Sequence, residues 1–304
     1  MARTLVEMSE QHHVHQHHQH EHHAMFDTPE AATRLEMEGE VLADFVKEAV
    51  EATITHAEQF DLAVERILDL GSGPGVGSCA WAVAIPASTV TAVDGSLAML
   101  DRVTARAASL GVGSRVVTRQ HDLATGLEAL GRHDVAFSSM ALHHVGDETA
   151  ALVAIRKVLD ANGLLVILER AAPEKVRFAG ESLGSDELWN RVNAAWSAWL
   201  QDMRASLPGA EESADYCSML ASAGFEVLED RTLSIMLPAP LTPAGRRFAR
   251  ARMGLAATGL TGYLDESTLA EVTDLLADLD GPGSHRWDTA EVEATQRLLI
   301  GRAG

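Results

Sequence analysis

The segment Ile67–Ser78, with the sequence ILDLGSGPGVGS, constrains the fold of this 304-residue chain more than any other part of it. An apolar run around Asp69 is followed by glycines at every second position, namely Gly71, Gly73, Gly75 and Gly77. The run predicts a buried strand, and the glycines predict a turn whose backbone can approach a ligand closely. A strand that ends in such a turn is typical of α/β folds that bind nucleotide-like ligands.

The order of these glycines excludes two common phosphate-binding motifs. A dinucleotide fingerprint has the pattern G-x-G-x-x-G, and its third glycine would fall here on Val76 or on Ser78. A phosphate loop needs Gly-Lys-Ser or Gly-Lys-Thr after its glycines, and no such sequence follows. The pattern that remains is an acid followed by x-G-x-G-x-G.

This pattern resembles the first motif of class I S-adenosylmethionine-dependent methyltransferases, in which Pro74 is also common at its place. The resemblance continues in order over residues 65–170. TVTAVD is similar to the second strand, RVVTRQHDL to the third strand and its loop, DVAFSSMALHHV to the fourth, and VLDANGLLVILER to the fifth. A single glycine motif could be a purely structural turn, but four ordered matches favour the family. The resemblance is to small-molecule enzymes, such as ubiquinone and menaquinone C-methyltransferases and methyltransferase types 11, 12 and 25.

The resemblance implies a fold and a cofactor. The fold is α/β and Rossmann-like, with a seven-stranded, mostly parallel sheet, helices on both faces and helical lid insertions. Its last strand is antiparallel and lies between the fifth and sixth strands. The cofactor is S-adenosylmethionine, and the product formed from it is S-adenosylhomocysteine.

The implied cofactor site combines the glycine turn with the ends of the next three strands. Its residues are Asp69, Gly71, Ser72, Gly73, Gly75, Asp94, Gly95, Ser96, Asp122, Leu123 and Ser139. An acid that ends the second strand can bind both ribose hydroxyls. For Asp94 and Asp122 the alternatives are a helix cap or a solvated acid in a loop.

Three titratable residues follow the strands where the acceptor is expected. His143 and His144 come after the fourth strand, and Glu169 ends the fifth. Imidazole titrates near neutral pH and can remove a proton from a hydroxyl as the methyl group arrives. These residues are therefore candidate catalytic residues. The alternatives are capping, cofactor contact or packing for the histidines, and a salt bridge for Glu169.

The chain is predicted to consist of a His-rich flexible tail at residues 1–25 and one methyltransferase domain at residues 26–304. An N-terminal helix at residues 26–58, capped by Thr28, either closes over the cofactor or covers the sheet edge. The rest of the domain divides into a cofactor-binding core at 60–170, a helical lid insertion at 174–208, a helix and sixth strand at 211–237, a second helical insertion at 241–284 and a last strand at 290–302.

Three tryptophans, Trp189, Trp196 and Trp199, occur in one predicted helix of the first insertion. Their spacing places them broadly on one side of that helix. They form either an aromatic wall around a flat, apolar acceptor or the core that seats the lid on the sheet.

Composition limits the possible partners and the compartment. The net charge of -20 disfavours nucleic acids, which bind clustered Lys and Arg. The sequence contains no apolar stretch that could span a bilayer and no secretory signal, so we expect no membrane. Two cysteines, Cys79 and Cys217, suit a reducing cytoplasm.

The segment His12–His23 contains eight of the 14 histidines. Imidazole is the commonest metal ligand, so we expect loose binding of a divalent metal by His12, His13, His15, His17, His18, His20, His22 and His23. No fixed spacing with cysteine defines a closed site. The alternative is a disordered tail whose affinity for metal is incidental.

These patterns predict the transfer of a methyl group to a small, apolar or aromatic acceptor, at oxygen, nitrogen or carbon, in secondary metabolism. Cofactor alignment and direct displacement would suffice for the reaction. The alternatives are a protein-substrate methyltransferase and a non-catalytic S-adenosylmethionine-binding protein with a metal-binding tail. Enzymes that methylate nucleic-acid amines carry Asn/Asp-Pro-Pro-aromatic after the fourth strand, where this chain has SSMA at residues 138–141. The oligomeric state stays open.

Overall fold

The computed structural model describes residues 28–179, 186–207, 209, 215–281 and 285–304. The predicted metal-binding tail at His12–His23 lies outside these residues, so loose metal binding there stays a prediction.

The fold is organised by one seven-stranded sheet. Its strands are β1 (Arg66–Leu70), β2 (Thr89–Asp94), β3 (Val116–Gln120), β4 (His133–Ser139), β5 (Leu159–Phe178), β6 (Phe225–Leu237) and β7 (Ala290–Ala303). Their order in the sheet is β3-β2-β1-β4-β5-β7-β6. The strands β1 to β5 are parallel to one another, and β7 is antiparallel to both β5 and β6. The predicted fold class is confirmed, including the place and direction of the last strand.

Helices precede the sheet and connect its strands. They are α1 (Pro29–Val41), α2 (Ala43–Gln59), α3 (Val76–Ala84), α4 (Leu97–Ser109), α5 (Glu148–Lys157), α6 (Asp186–Ala205), α7 (Tyr216–Ser222), α8 (Pro243–Gly259) and α9 (Glu266–Leu279). Among these described helices, none combines the length and the apolar character that crossing a bilayer requires.

The apolar run of β1 is buried on both faces of the sheet, as parallel strands covered by helices require. Ile67 packs on one face with Trp81 of α3 and Phe137 of β4, whose rings meet edge to face at 5.5 Å. Leu68 and Leu70 pack on the other face with side chains of α5 and α7. The two helix layers therefore hold β1, and the turn that follows it, in a fixed position.

The N-terminal helix begins as predicted but is not continuous. The hydroxyl of Thr28 accepts a hydrogen bond from the backbone N–H of Ala31 at 3.1 Å, which confirms it as the N-cap. The prediction of one helix over residues 26–58 is wrong, because Leu42 leaves the helical conformation between α1 and α2. The apolar side chains of α2 pack on the sheet, whereas α1 turns aside to cover α3 and α4.

The helical insertion predicted from residue 174 begins later, with α6 at Asp186. Residues 174–178 continue β5, whose last residue Phe178 pairs with Ala290 of β7. The physical reason is the period of two in this segment, where Glu174, Val176 and Phe178 are buried and the residues between them are less so. Residues 180–185 and 208 of the predicted insertion lie outside the described part of the chain.

The lid helices form an apolar cluster of their own over the extended end of β5 and β7. Trp189 of α6, Phe248 and Met253 of α8 and Leu275 of α9 are buried together there. An ion pair between Arg191 and Glu271 also joins α6 to α9. The two insertions are therefore one packed unit, which covers the sheet beside the carboxyl ends of its parallel strands.

Candidate active site

A cavity of about 1320 Å³ lies where the parallel strands end. Its floor consists of the glycine turn and the residues that follow β2, β3 and β4, and its cover consists of α1, α6 and α8. Ligands of open α/β sheets bind outside the carboxyl ends of the strands. The cavity is therefore the candidate active site.

Asp69 links β1 to the helix after the glycine turn. It is buried, and its carboxylate accepts a hydrogen bond from the hydroxyl of Ser78. Burial, helped by the nearby charge of Asp94, raises the pKa of Asp69 to about 7, although the hydrogen bond from Ser78 opposes the shift. The acid of the motif is thus poised to change its charge near neutral pH.

The glycine turn is held against the end of β2. The backbone N–H groups of Gly71 and Ser72 donate to the carbonyl of Val93, each at 2.9 Å. The N–H of Gly73 donates to one carboxylate oxygen of Asp94 at 2.9 Å, and the N–H of Ser96 donates to the other at 2.9 Å. Asp94 therefore joins the turn to the N-terminus of α4 and also lines the cavity.

Gly75 has a different role from the other glycines of the motif. It is not among the residues that line the cavity, and its φ is +84°. A Cβ atom at this position would lie 2.9 Å from the backbone of Val103 in α4. Gly75 is required for the close packing of α3 on α4, and it shapes the site without facing it.

The remaining residues predicted to bind the cofactor lie on the cavity wall. Asp122 also forms a turn, since its carboxylate accepts a hydrogen bond from the N–H of Ala124 at 2.9 Å. Ser72 is buried, and its hydroxyl has no hydrogen-bond partner within the described residues. A buried hydroxyl on a cavity wall fits the polar end of a bound ligand, which would satisfy it.

The three candidate catalytic residues meet at one side of the cavity. Nδ1 of His143 lies 2.8 Å from one carboxylate oxygen of Glu169, and the N–H of Leu142 donates to the other oxygen at 3.1 Å. Since an ionised carboxylate can only accept, Nδ1 carries a proton, and in the neutral imidazole the lone pair is therefore on Nε2. The rings of His143 and His144 lie 4.1 Å apart between centroids. The salt-bridge interpretation of Glu169 is thus compatible with a catalytic one, because the pair itself orients the imidazole.

Residues 67–163, about a third of the chain, match the model of a methyltransferase domain family. This segment is a class I methyltransferase domain. S-adenosylmethionine is its cofactor, and the glycine turn, Asp94 and the unsatisfied hydroxyl of Ser72 fit that molecule. No curated protein matches the sequence significantly.

Several solved structures resemble this methyltransferase. A candidate methyltransferase from Bacillus halodurans C-125 is 18% identical, covers 79% of this chain and 93% of its own, and has a TM-score of 0.48. YcgJ from Bacillus subtilis is 17% identical over 84% of this chain and 98% of its own, with a TM-score of 0.49. Phosphoethanolamine N-methyltransferase 2 from Haemonchus contortus, in complex with phosphomonomethylethanolamine and S-adenosylhomocysteine, is 14% identical over 79% of this chain and 49% of its own, with a TM-score of 0.43.

The three lid tryptophans of the methyltransferase divide between the two predicted roles. Trp189 is 2% exposed and packs in the apolar cluster of the lid. Trp196 and Trp199 line the cavity, with ring centroids 5.1 Å apart in an edge-to-face arrangement. Seven residues are two helical turns, so Trp189 shares a side with Trp196 but lies about 10 Å away along the axis.

The lid is fastened to the core of the methyltransferase by a buried ion pair. The two terminal nitrogens of the Arg204 guanidinium donate to the carboxylate of Glu148, at 2.8 and 2.7 Å. The hydroxyl of Tyr216 donates to the same carboxylate at 2.9 Å. Burial raises the pKa of Tyr216 far above its usual value, and the carboxylates of Glu169 and Glu148 add to this effect. These contacts join α6 to α5 and α7 at the cavity rim.

Sequence reasoning missed a group of polar residues on the cavity wall. Glu38, Arg170, Glu174, Arg252 and Gln296 come from α1, β5, α8 and β7. Only Arg170 carried a signal, because it follows Glu169 at the end of an apolar strand. Within the described part of the chain, no three His, Cys, Asp or Glu side chains are grouped so that they could hold a metal ion.

Proposed function

We propose that this methyltransferase transfers the methyl group of S-adenosylmethionine to a small acceptor with an aromatic or apolar body, at an oxygen or nitrogen that His143 deprotonates. The observation that supports the proposal best is the pair of His143 and Glu169 on the wall of the same cavity as the cofactor-binding residues. A carboxylate that fixes an imidazole in one tautomer is a common arrangement for general base catalysis.

The cofactor supplies a methyl group on a positively charged sulfur, which is its own leaving group. The lone pair of the acceptor oxygen forms the new bond to carbon, and the bond from carbon to sulfur breaks with its electrons left on sulfur. The acceptor proton passes to Nε2 of His143. Glu169 then stabilises the positive imidazolium through Nδ1.

The cover of the cavity supports transfer to a small molecule. Helices α1, α6 and α8 all contribute lining residues, among them Leu35, Trp199 and Leu255. Such a cover excludes water and holds the reacting atoms in line, which can supply several kcal/mol of the barrier. Trp196 and Trp199 provide flat apolar surface against which an aromatic acceptor can pack.

The proposal is tested by the formation of S-adenosylhomocysteine from S-adenosylmethionine with a panel of phenols, aromatic amines and aliphatic alcohols. We expect product formation that depends on the acceptor and saturates with it. A matched reaction with His143→Gln reports the part played by the base. If no member of the panel raises product above the background without acceptor, although the cofactor binds, methyl transfer to small aromatic or apolar acceptors is contradicted.

A further inference from the structure

Five polar residues on the cavity wall form a group that we call the arginine cluster: Glu38, Arg170, Glu174, Arg252 and Gln296. Arg252 is the centre of its internal contacts. Its guanidinium lies 2.8 Å from the carboxylate of Glu174 and 3.9 Å from that of Glu38. It also lies over the ring of Trp196, 5.5 Å from the centroid. The charge of Arg252 is therefore balanced within the protein.

Arg170 differs from Arg252 in having no hydrogen bond to its guanidinium. Its nearest carboxylate oxygen, on Glu174, lies 3.5 Å from Nε. Across the described ranges of the chain, no side chain or carbonyl accepts a hydrogen bond from this guanidinium. The side chain is 29% exposed and lines the cavity. A guanidinium has five N–H donors and stays charged in proteins, so Arg170 presents unused donors to the cavity.

Gln296 adds a second unsatisfied group beside Arg170. The two residues are partners in the register of β5 and β7, so their side chains lie on the same face of the sheet. Gln296 is 8% exposed and lines the cavity, and its buried Oε1 has no hydrogen-bond partner within the described residues. An amide can turn about its last bond and present either its oxygen or its N–H groups.

The position of these two groups separates them from the cofactor residues. The predicted cofactor residues follow β1, β2, β3 and β4, whereas Arg170 and Gln296 lie on β5 and β7, further along the sheet. Neighbouring strands are about 4.8 Å apart, so β5 is about 10 Å from β1. Arg170 also follows Glu169, which holds the proposed base His143. Successive residues of a strand point to opposite faces of the sheet, but both Arg170 and Glu169 line the cavity, so the unused donors lie at the same strand end as the group that holds the proposed base.

We propose that Arg170 and Gln296 bind a carboxylate group of the methyl acceptor, so that the enzyme selects aromatic carboxylic acids. This inference rests on the proposed function, since it assigns the acceptor of that same site. The planar guanidinium matches the two oxygens of a carboxylate, and Gln296 completes the site with an amide N–H. The ring of the acid packs on Trp196 and Trp199, and its nucleophilic oxygen or nitrogen lies towards His143.

The test compares matched acids and amides in binding to the enzyme saturated with S-adenosylhomocysteine. Fluorine NMR titrations use para-(trifluoromethyl)benzoate and a fluorinated naphthoate, each beside its primary amide, which has the same shape without the charge. We expect at least one acid to bind about tenfold more tightly than its amide, as a charge-assisted pair of hydrogen bonds allows. Arg170→Gln should remove this preference, and Gln296→Leu should reduce it.

Three controls keep the result interpretable. Arg250→Gln removes one positive charge from the same enzyme, at an exposed residue of α8 that pairs with Asp280, and should keep the preference. Arg170→Lys keeps the positive charge but lacks the paired N–H donors of the guanidinium. This variant should keep part of the preference for the acid over its amide. Calorimetry with S-adenosylhomocysteine should give the same affinity for every variant, which shows that each one folds and binds the cofactor product.

The outcomes separate this inference from the proposed function. If S-adenosylhomocysteine binds but no acid is preferred over its amide, the inference is overturned and the proposed function stands. A preference that survives Arg170→Gln overturns it as well. If wild-type protein does not bind S-adenosylhomocysteine, the proposed function fails first.

Discussion

Glu169 holds Nδ1 of His143 at 2.8 Å with one carboxylate oxygen and holds the backbone N–H of Leu142 with the other. The imidazole and the single 3-10 turn that carries it, Leu142–His144, are thus fixed by one side chain at the end of the parallel part of β5. This arrangement leaves Nε2 as the basic nitrogen.

His143→Gln should lower kcat by about 10² or more at neutral pH with a hydroxyl acceptor, because no general base then removes the hydroxyl proton. With a phenol the defect should shrink as the pH rises towards about 10, where the acceptor ionises without help. The measurement is the rate of S-adenosylhomocysteine release from pH 6 to about 10. A matched control is His56→Gln, since His56 forms a pair with Glu229 at the same 2.8 Å but does not line the cavity. Equal kcat for His143→Gln and wild type at neutral pH would exclude His143 as the general base.

Asp69 should make the stability of the ligand-free protein depend on pH. Its pKa is about 7 in the folded protein and about 4 when unfolded, so the folded state binds more protons between these values. The stability that Asp69 contributes is present below the unfolded pKa and is lost as the pH rises through the folded pKa. Asp69→Asn removes this effect. The free energy of unfolding of the variant, relative to that of wild type, should therefore rise by about 2 kcal/mol between pH 5 and pH 7.5.

The check on Asp69 is urea unfolding of both proteins at several pH values in that range. Above about pH 8 the difference between them should become constant, since Asp69 is then ionised in both states. Parallel stability curves for wild type and Asp69→Asn across the whole range would show that Asp69 has an ordinary pKa in the folded protein.

Glu148→Gln should destabilise the protein by about 2–3 kcal/mol, because it leaves the guanidinium of Arg204 without its buried partner. Glu128→Gln is the control, since Glu128 pairs with Lys157 on the surface and both side chains are 60% exposed. That change should cost less than about 1 kcal/mol. Thermal unfolding of the three proteins tests the comparison, and similar losses for the two variants would contradict the role of Glu148 as the anchor of the lid.

Substitutions of two lid tryptophans should differ in their effects on the stability of the protein and on its kinetics. Trp189→Ala removes a buried side chain and should cost about 3–5 kcal/mol. Trp196 lies on the cavity wall. Trp196→Ala should therefore lower the free energy of unfolding less than Trp189→Ala does, and should raise the KM for an aromatic acceptor. Unfolding curves and steady-state kinetics on both variants separate the two effects. If Trp196→Ala lowers stability as much as Trp189→Ala and leaves KM unchanged, Trp196 belongs to the core of the lid.

The fold, and the meeting of most predicted cofactor residues at one cavity, could be predicted from the sequence because both depend on local patterns. The glycine turn, the apolar strands and the acids that end them are close in the chain, and the parallel sheet brings those ends together. The capping of α1 by Thr28 is equally local. Gly75 shows the limit of such reasoning, because its requirement comes from the approach of Val103 in another helix.

Other features depend on contacts between distant segments. The break at Leu42 comes three residues after Gly39, which is itself helical, and arises because α1 and α2 pack on different parts of the structure. The extension of β5 to Phe178 depends on pairing with β7, more than a hundred residues later. Arg252 and Gln296 reach the cavity only through the packing of the lid and the last strand, so neither has a sequence motif.

The central claim is that the cavity at the glycine turn binds S-adenosylmethionine, and calorimetric titration with S-adenosylhomocysteine tests it most directly. We expect one molecule to bind each chain, and Asp94→Ala to weaken binding at least about tenfold, since it removes a carboxylate that lines the site and holds the turn. Asp101→Asn, at an exposed residue of α4, should bind as wild type does. Absence of binding to wild type, or equal affinity of Asp94→Ala and wild type, would contradict the account.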